Sequence, residues 1–279
     1  MRRLLVRTMP LVEPLIRLRN ERALRAFAKQ SQEAEALASA HTEAQRDPGV
    51  AASGYVKAIE AVRHEYSQRD EPLVDGTLGE SVPWDQGRTI ADASRVSRSP
   101  DHAAYLYHLI RQRRPKRVLE LGTNLGISGS YIAAALKEHG GGELVTMDAS
   151  PYRQRLAKDL FERVGLDNAR FVLGDFADTF DRAVQEHGPF DFAFIDGNHT
   201  LEPTLHYAES VCEAADEDVW VVFDDIRWSE GMEEAWRRLR KHPRMLAGLD
   251  LYRLSLCVMS SASGNGAPKI SPPLYGAFR

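Results

Sequence analysis

From Arg117 onward the chain alternates short apolar runs with amphipathic stretches, and this alternation restricts the fold more than any other feature. The apolar runs fall at 117–121, 143–148, 169–173, 190–195 and 218–224, with helical spacing at 127–138, 152–164, 176–187 and 202–215 between them. Strands separated by helices must cross over, so they pair in parallel and carry helices on both faces. The runs Phe190–Ile195 and Val219–Phe223 are almost continuously apolar, as a strand covered on both faces has to be. After a helical stretch at 230–241, apolar runs near 244–249 and 251–259 supply an antiparallel hairpin for one edge. The expected fold class is α/β, a doubly wound, mostly parallel seven-stranded sheet.

The first part of the chain follows a different pattern. Leu15, Leu18 and Phe27 recur among charges and alanines at helical spacing over 11–45, and Asp47-Pro48-Gly49 ends that stretch. A second helix is expected over 54–68, with Tyr55, Ile59 and Val62 on one stripe. Residues 70–99 are rich in Gly, Pro, Asp and Ser and read as a long loop of the kind that carries function. Pro100 opens a helix bearing Tyr105, Leu106, Leu109 and Ile110. The expected organisation is a helical extension with its loop (1–95), the sheet domain (96–260) and a tail (261–279).

Charge and composition narrow the function classes. The first 30 residues hold eight Arg or Lys against two Glu, which reads as a solvated helix face with a contact between copies rather than an anion-binding arm. The whole chain carries a net charge of −4, so no general attraction to nucleic acid or membranes is expected. Cys212 and Cys257 are too few for a disulfide framework or a zinc site. No apolar run is long enough to span a bilayer, and Arg7 interrupts the leader-like start. A cytoplasmic location is expected.

The turn after the first strand carries the chemistry. Arg117-Val118-Leu119-Glu120 runs into Leu121-Gly122-Thr123-Asn124-Leu125-Gly126-Ile127-Ser128, so an acidic strand end meets a glycine-spaced turn that opens a helix. A dinucleotide fingerprint needs Gly-x-Gly-x-x-Gly, whereas the glycines here fall at 122, 126 and 129. Glu120 would repel a pyrophosphate and suits a ligand with a cationic centre and an amino-acid tail. The pattern Glu-x-Gly-x-x-x-Gly resembles the first motif of class I S-adenosylmethionine-dependent methyltransferases.

Ligands of open α/β sheets bind beyond the carboxyl ends of the strands. Asp148, ending the second strand, is placed to accept both ribose hydroxyls, and Gly174-Asp175, ending the third, to meet the adenine amino group. Asp148 is equally suited to capping the next helix. Thr123 and Ser128 are candidates for the cofactor's carboxylate, with a bond inside its own helix the alternative for Ser128. The fourth strand ends Asp196-Gly197-Asn198-His199 and the fifth Asp224-Asp225. Adjacent strand ends lie about 5 Å apart, so Asp196, Asp224 and Asp225 should crowd into one cleft. Such a set calls for a proton or a hard divalent ion such as Mg²⁺, which would lower the pKa of a substrate hydroxyl. His199 is then placed to take the proton. Trp84, Arg88 and Trp228 are candidate substrate walls, with Met232 and helix-borne Trp236 nearer the core.

The stretch from about Ser97 to Met259 resembles the O-methyltransferase branch, which includes catechol, caffeoyl-coenzyme A and macrolide-sugar methyltransferases. The resemblance implies a cofactor loop at Arg117–Gly126, a metal aspartate at Asp196 that also borders the cofactor, and further metal ligands at Asp224 and Asp225. His199 stands where catechol-type enzymes carry a catalytic lysine and macrolide-sugar enzymes a catalytic histidine. The expected function is methylation of a small-molecule hydroxyl. RNA methylation and a catalytically inactive cofactor-binding scaffold are the alternatives.

Overall fold

The computed structural model describes residues 2–46, 49–73, 85–97, 99–262 and 266–276. Five strands alternate with helices and pair in parallel: β1 (Arg117–Leu121), β2 (Glu143–Asp148), β3 (Ala169–Leu173), β4 (Phe192–Ile195) and β5 (Val219–Phe223). All of β4 and β5 is buried, which is why these runs lack the polar alternation of a half-exposed strand. β6 (Met245–Asp250) and β7 (Ser255–Met259) form the expected hairpin, with β7 antiparallel to both β5 and β6.

The sheet adds an eighth strand, β8 (Lys269–Ile270), giving the order β3-β2-β1-β4-β5-β7-β6-β8. β8 comes from the segment read as a tail. Two residues are too short to show a period, but backbone bonds from Ser271 N to Gly248 O at 2.9 Å and Leu274 N to Asp250 O at 2.8 Å fasten it down. Leu274 is buried in the core.

The N-terminal part also departs from expectation in detail. The helix expected over 11–45 is two helices, α1 (Arg2–Ala28) and α2 (Gln32–Arg46). Ser31 makes the break, because its hydroxyl accepts the Ala34 N–H at 3.1 Å and starts a new helix. α3 (Gly54–Tyr66) follows as expected. The stretch read as one loop contains α4 (Ile90–Val96), opened by a reciprocal capping box between Thr89 and Asp92. Residues 74–84, Trp84 among them, lie outside the described residues.

The remaining helices are α5 (Pro100–Arg113), α6 (Ile127–Glu138), α7 (Pro151–Val164), α8 (Phe176–His187), α9 (Leu201–Glu213) and α10 (Glu230–Leu239). One face of the sheet packs Phe194 and Leu144 with Ile132, Tyr105, Ile59, Leu37 and Phe27, so the N-terminal helices share its core. The other face packs Leu119, Val145 and Phe223 with Phe180, Val211 and Trp236. β1 pairs with β2 on one side and β4 on the other, so the chain reverses its direction across the sheet at β1. The carboxyl ends of β1 and β4 flank the crevice where such sheets bind ligands.

Candidate active site at the switch point

Gly122 follows β1 with φ of 104°, and a Cβ there would lie 2.3 Å from the Asp196 carbonyl oxygen. The loop therefore passes the end of β4 only because residue 122 has no side chain. Beneath it Glu120 is fully buried. Ser128 Oγ donates to Glu120 Oε1 at 2.6 Å and Thr146 Oγ1 to Oε2 at 2.6 Å, with the Thr123 hydroxyl 2.6 Å from that of Thr146. A Cβ on Gly129 would stand 2.6 Å from Oε2, so the first turn of α6 lies flat on the carboxylate. Burial pushes the Glu120 pKa up from 4.5 to about 7; the two hydroxyl bonds oppose the rise, and the charges of Asp196 and Asp148 add to it. Glu120, Ser128 and Thr123 thus bond within a brace under the loop, because a carboxylate without access to water takes the nearest hydroxyls.

Asp148 is almost completely buried at the end of β2. Its Oδ2 accepts the Asn124 N–H and its Oδ1 the Ser150 N–H, both at 2.8 Å. The helix cap is Ser150, whose hydroxyl accepts the Arg153 N–H, and not Asp148. Burial raises the Asp148 pKa, while those two N–H bonds and the Arg153 charge lower it. Gly174 N bonds to Asp148 O at 3.0 Å, which sets exposed Asp175 beside it. Asp175 also caps α8 by accepting the Ala177 N–H at 2.9 Å.

Across the crevice, Asp196 N bonds to Leu121 O and Asp224 N to Ile195 O, each at 3.0 Å, so the ends of β1, β4 and β5 are stitched together. Donor atoms of Asp196, His199 and Asp225 lie within 4.8 Å of one another, and His199 Nε2 is 3.6 Å from Asp196 Oδ1. Asn198 and Asp225 each adopt the left-handed conformation, with φ of 49°, an uncommon state for a residue with a side chain. The cluster holds two of the three expected aspartates. Asp224 stays buried directly after β5, with its Oδ1 accepting the Asp225 N–H at 2.7 Å, while the left-handed turn carries Asp225 to the cluster. His199 completes the group instead. The two carboxylates offer oxygen donors suited to a hard divalent cation, with the imidazole beside them.

Arg227 secures this turn from behind. Its guanidinium donates to both oxygens of fully buried Asp250, at 3.0 and 2.7 Å. Asp250 also accepts Trp236 Nε1 at 2.9 Å, so Trp236 belongs to the core, as does buried Met232. Trp228 is 73% exposed beside Asp225, whose carbonyl accepts the Trp228 N–H at 2.8 Å. Arg88 is exposed. Sequence reasoning missed Asn124, Arg153 and Asp85, which form a bonded group at the cofactor loop. Positions 85 and 153 share no short motif; Asn124, lying between two loop glycines, was the available signal.

The methyltransferase-domain family matches residues 119–226, from the middle of β1 to the turn after β5. Over 133 residues the chain is 29% identical to a catechol O-methyltransferase of Niastella koreensis, covering 47% of this chain and 58% of that protein. It is 28% identical to a Mycobacterium tuberculosis catechol O-methyltransferase over 158 residues, 56% of this chain and 66% of the relative. The chain spans about half the length of the curated relatives it matches. A Bacillus cereus O-methyltransferase solved with S-adenosylhomocysteine superposes with a TM-score of 0.56 at 20% identity, covering 73% of this chain and 91% of that one. Residues 119–226 thus match a methyltransferase domain, and this part of the chain is similar in sequence to O-methyltransferases.

Proposed function

We propose that the chain is an S-adenosylmethionine-dependent O-methyltransferase acting on the hydroxyl of a small molecule, a phenol, catechol or sugar, with assistance from a divalent cation. One observation carries the reading: the glycine loop after β1 and the Asp196, His199 and Asp225 cluster meet at a single switch point. On this reading the Gly122–Gly126 loop and the start of α6 seat the amino-acid part of the donor. Gly126 caps α6 with no side-chain bond, which leaves the first-turn N–H groups to a carboxylate. Asp148 accepts the ribose hydroxyls and Asp175 the adenine amino group.

S-adenosylmethionine supplies an electrophilic methyl on sulfur, and positioning contributes much of the acceleration of such a displacement. Asp196 and Asp225 would hold Mg²⁺ or a similar ion, whose chemistry is to acidify a coordinated hydroxyl. His199 Nε2 takes the hydroxyl proton as the acceptor oxygen bonds to the methyl carbon and the carbon–sulfur bond breaks. Trp228 offers a flat apolar face to the acceptor.

The test is transfer of label from S-adenosylmethionine to a panel of catechols, phenols, sugars and RNA, with and without chelator. Label in a small-molecule hydroxyl supports the reading, and label in RNA alone replaces it. His199→Ala should lower turnover far more than it weakens S-adenosylhomocysteine binding by calorimetry, and unchanged turnover removes His199 from the chemistry.

A further inference from the structure

We infer that the buried ion pair of Asp85 and Arg153 is a positioning device for the cofactor ribose: through Asn124 it fixes Asp148 in the orientation that receives the two hydroxyls. The inference rests on the S-adenosylmethionine reading. Asp85 and Arg153 expose only 1% and 9% of their side chains. Two charges so placed are costly to bury unless every polar group finds a partner. They do. Arg153 Nε and Nη2 lie 2.6 and 2.5 Å from Asp85 Oδ1, and Ser150 Oγ donates to Oδ2 at 2.6 Å.

The third guanidinium nitrogen faces the cofactor loop. Arg153 Nη1 donates to Asn124 Oδ1 at 2.9 Å, and Asn124 Nδ2 donates to Ala93 O at 3.2 Å and Ser97 Oγ at 3.1 Å. The Asn124 side chain is thereby gripped at both ends. Its backbone is left-handed, with φ of 47°, and in that conformation its N–H reaches Asp148 Oδ2. Ser150, bonded to Asp85 through its hydroxyl, holds the other Asp148 oxygen with its N–H. A carboxylate oxygen has two acceptor sites, so each Asp148 oxygen keeps one for a ligand. A carboxylate fixed at both oxygens in this way presents paired acceptors to adjacent hydroxyls.

Asp85 has a second effect. By engaging Nε and Nη2 it leaves only Nη1 turned toward the loop, so the guanidinium does not capture Asp148 and consume the acceptors meant for the ribose. Asp85, Ala93 and Ser97 lie before residue 119, where the methyltransferase-domain match begins. The N-terminal part of this chain thus contributes to cofactor selection without touching the cofactor.

The experiment measures binding of S-adenosylhomocysteine and its 2′-deoxy analogue by calorimetry. Wild type should prefer the ribose form about tenfold, the value of one well-placed hydrogen bond. Arg153→Met and Asp85→Asn should cut that preference to about twofold, Arg153→Lys should retain part of it, and Arg153→Met should add nothing in an Asp148→Asn background. If a single variant fails to fold, Asp85→Asn/Arg153→Met removes both charges together and carries the same expectation. Weakened binding of both ligands with the tenfold ratio intact, or a lowered melting temperature alone, overturns the inference. Wild type that binds neither ligand overturns the cofactor reading and this inference with it; retained S-adenosylhomocysteine binding with an unchanged ratio in the variants overturns the inference alone.

Discussion

Replacing Glu120 with glutamine should make the stability of this protein less dependent on pH, with a sign fixed by burial. The Glu120 pKa rises to about 7 in the fold from an ordinary 4.5. Between those values the folded state keeps a proton that the unfolded chain has lost. Stability therefore falls as pH rises through that window, and is flat on either side. The gap corresponds to about 3 kcal/mol once Glu120 is ionised in both states. Glutamine keeps the shape, and Ser128 and Thr146 can turn their hydroxyls to accept from its amide. His41 works in the opposite direction. Burial lowers its pKa from 6.5 to about 4, so its contribution fades as pH falls through that range. The comparison must therefore be a difference between parent and Glu120→Gln, in which His41 cancels. Urea unfolding at pH 5, 6, 7 and 8 should show the variant gaining about 2.5 kcal/mol on the parent, equivalent to about 5 °C in melting temperature. A difference that stays constant within about 0.5 kcal/mol across the series would falsify the assignment of a proton to buried Glu120.

Two further substitutions probe the frame. Gly122→Ala drives a Cβ to 2.3 Å from the Asp196 carbonyl at a left-handed position, and should cost about 3 kcal/mol and abolish stabilisation by S-adenosylhomocysteine. Thermal unfolding with and without that ligand checks it, and a variant as stable and responsive as the parent refutes the close approach. Asp250→Ala strips an acceptor from Arg227, Trp236 and the Tyr252 N–H, and should cost about 3–5 kcal/mol. Chemical denaturation measures the loss; a change below about 1 kcal/mol would mean the buried pair is not what anchors the turn after β5.

Periodicity made the sheet domain legible. The central strands β4 and β5 are buried on both faces and the helices around them turn apolar residues to the sheet, so burial is written into the order of residue types. Where burial is not periodic, the reading failed. β8 joins the sheet through two residues, and α4 hides among loop-forming residues behind its Thr89 cap. The same division runs through the site. Asp196, His199 and Asp225 were visible because strand ends collect at one rim, but Asp224 and Asp225 are neighbours that only a left-handed backbone separates. Glu120 was legible as a motif residue and not as a brace, because its two hydroxyl partners are 8 and 26 residues away. Distance along the chain also hid Asp85 and Arg153, 68 residues apart.

Among the described residues, three of the five non-glycine residues with left-handed backbone lie together with two buried carboxylates. Glu120 and Asp148 are carboxylates without water, Asn124, Asn198 and Asp225 hold left-handed backbone, and all sit at the carboxyl ends of β1, β2, β4 and β5. Each is unfavourable for stability alone, the backbone conformations by about 1 kcal/mol or more apiece. Mutual repulsion adds to the burden, since the charges of Asp196 and Asp148 reach Glu120 and raise its pKa. A negative field spread along the rim favours positive charge there, which on the proposed function is a sulfonium donor beside β1 or a divalent ion between Asp196 and Asp225. On the proposed function the cost in stability and the hold on a cation arise from the same carboxylates, so a substitution that relieves the first should weaken the second.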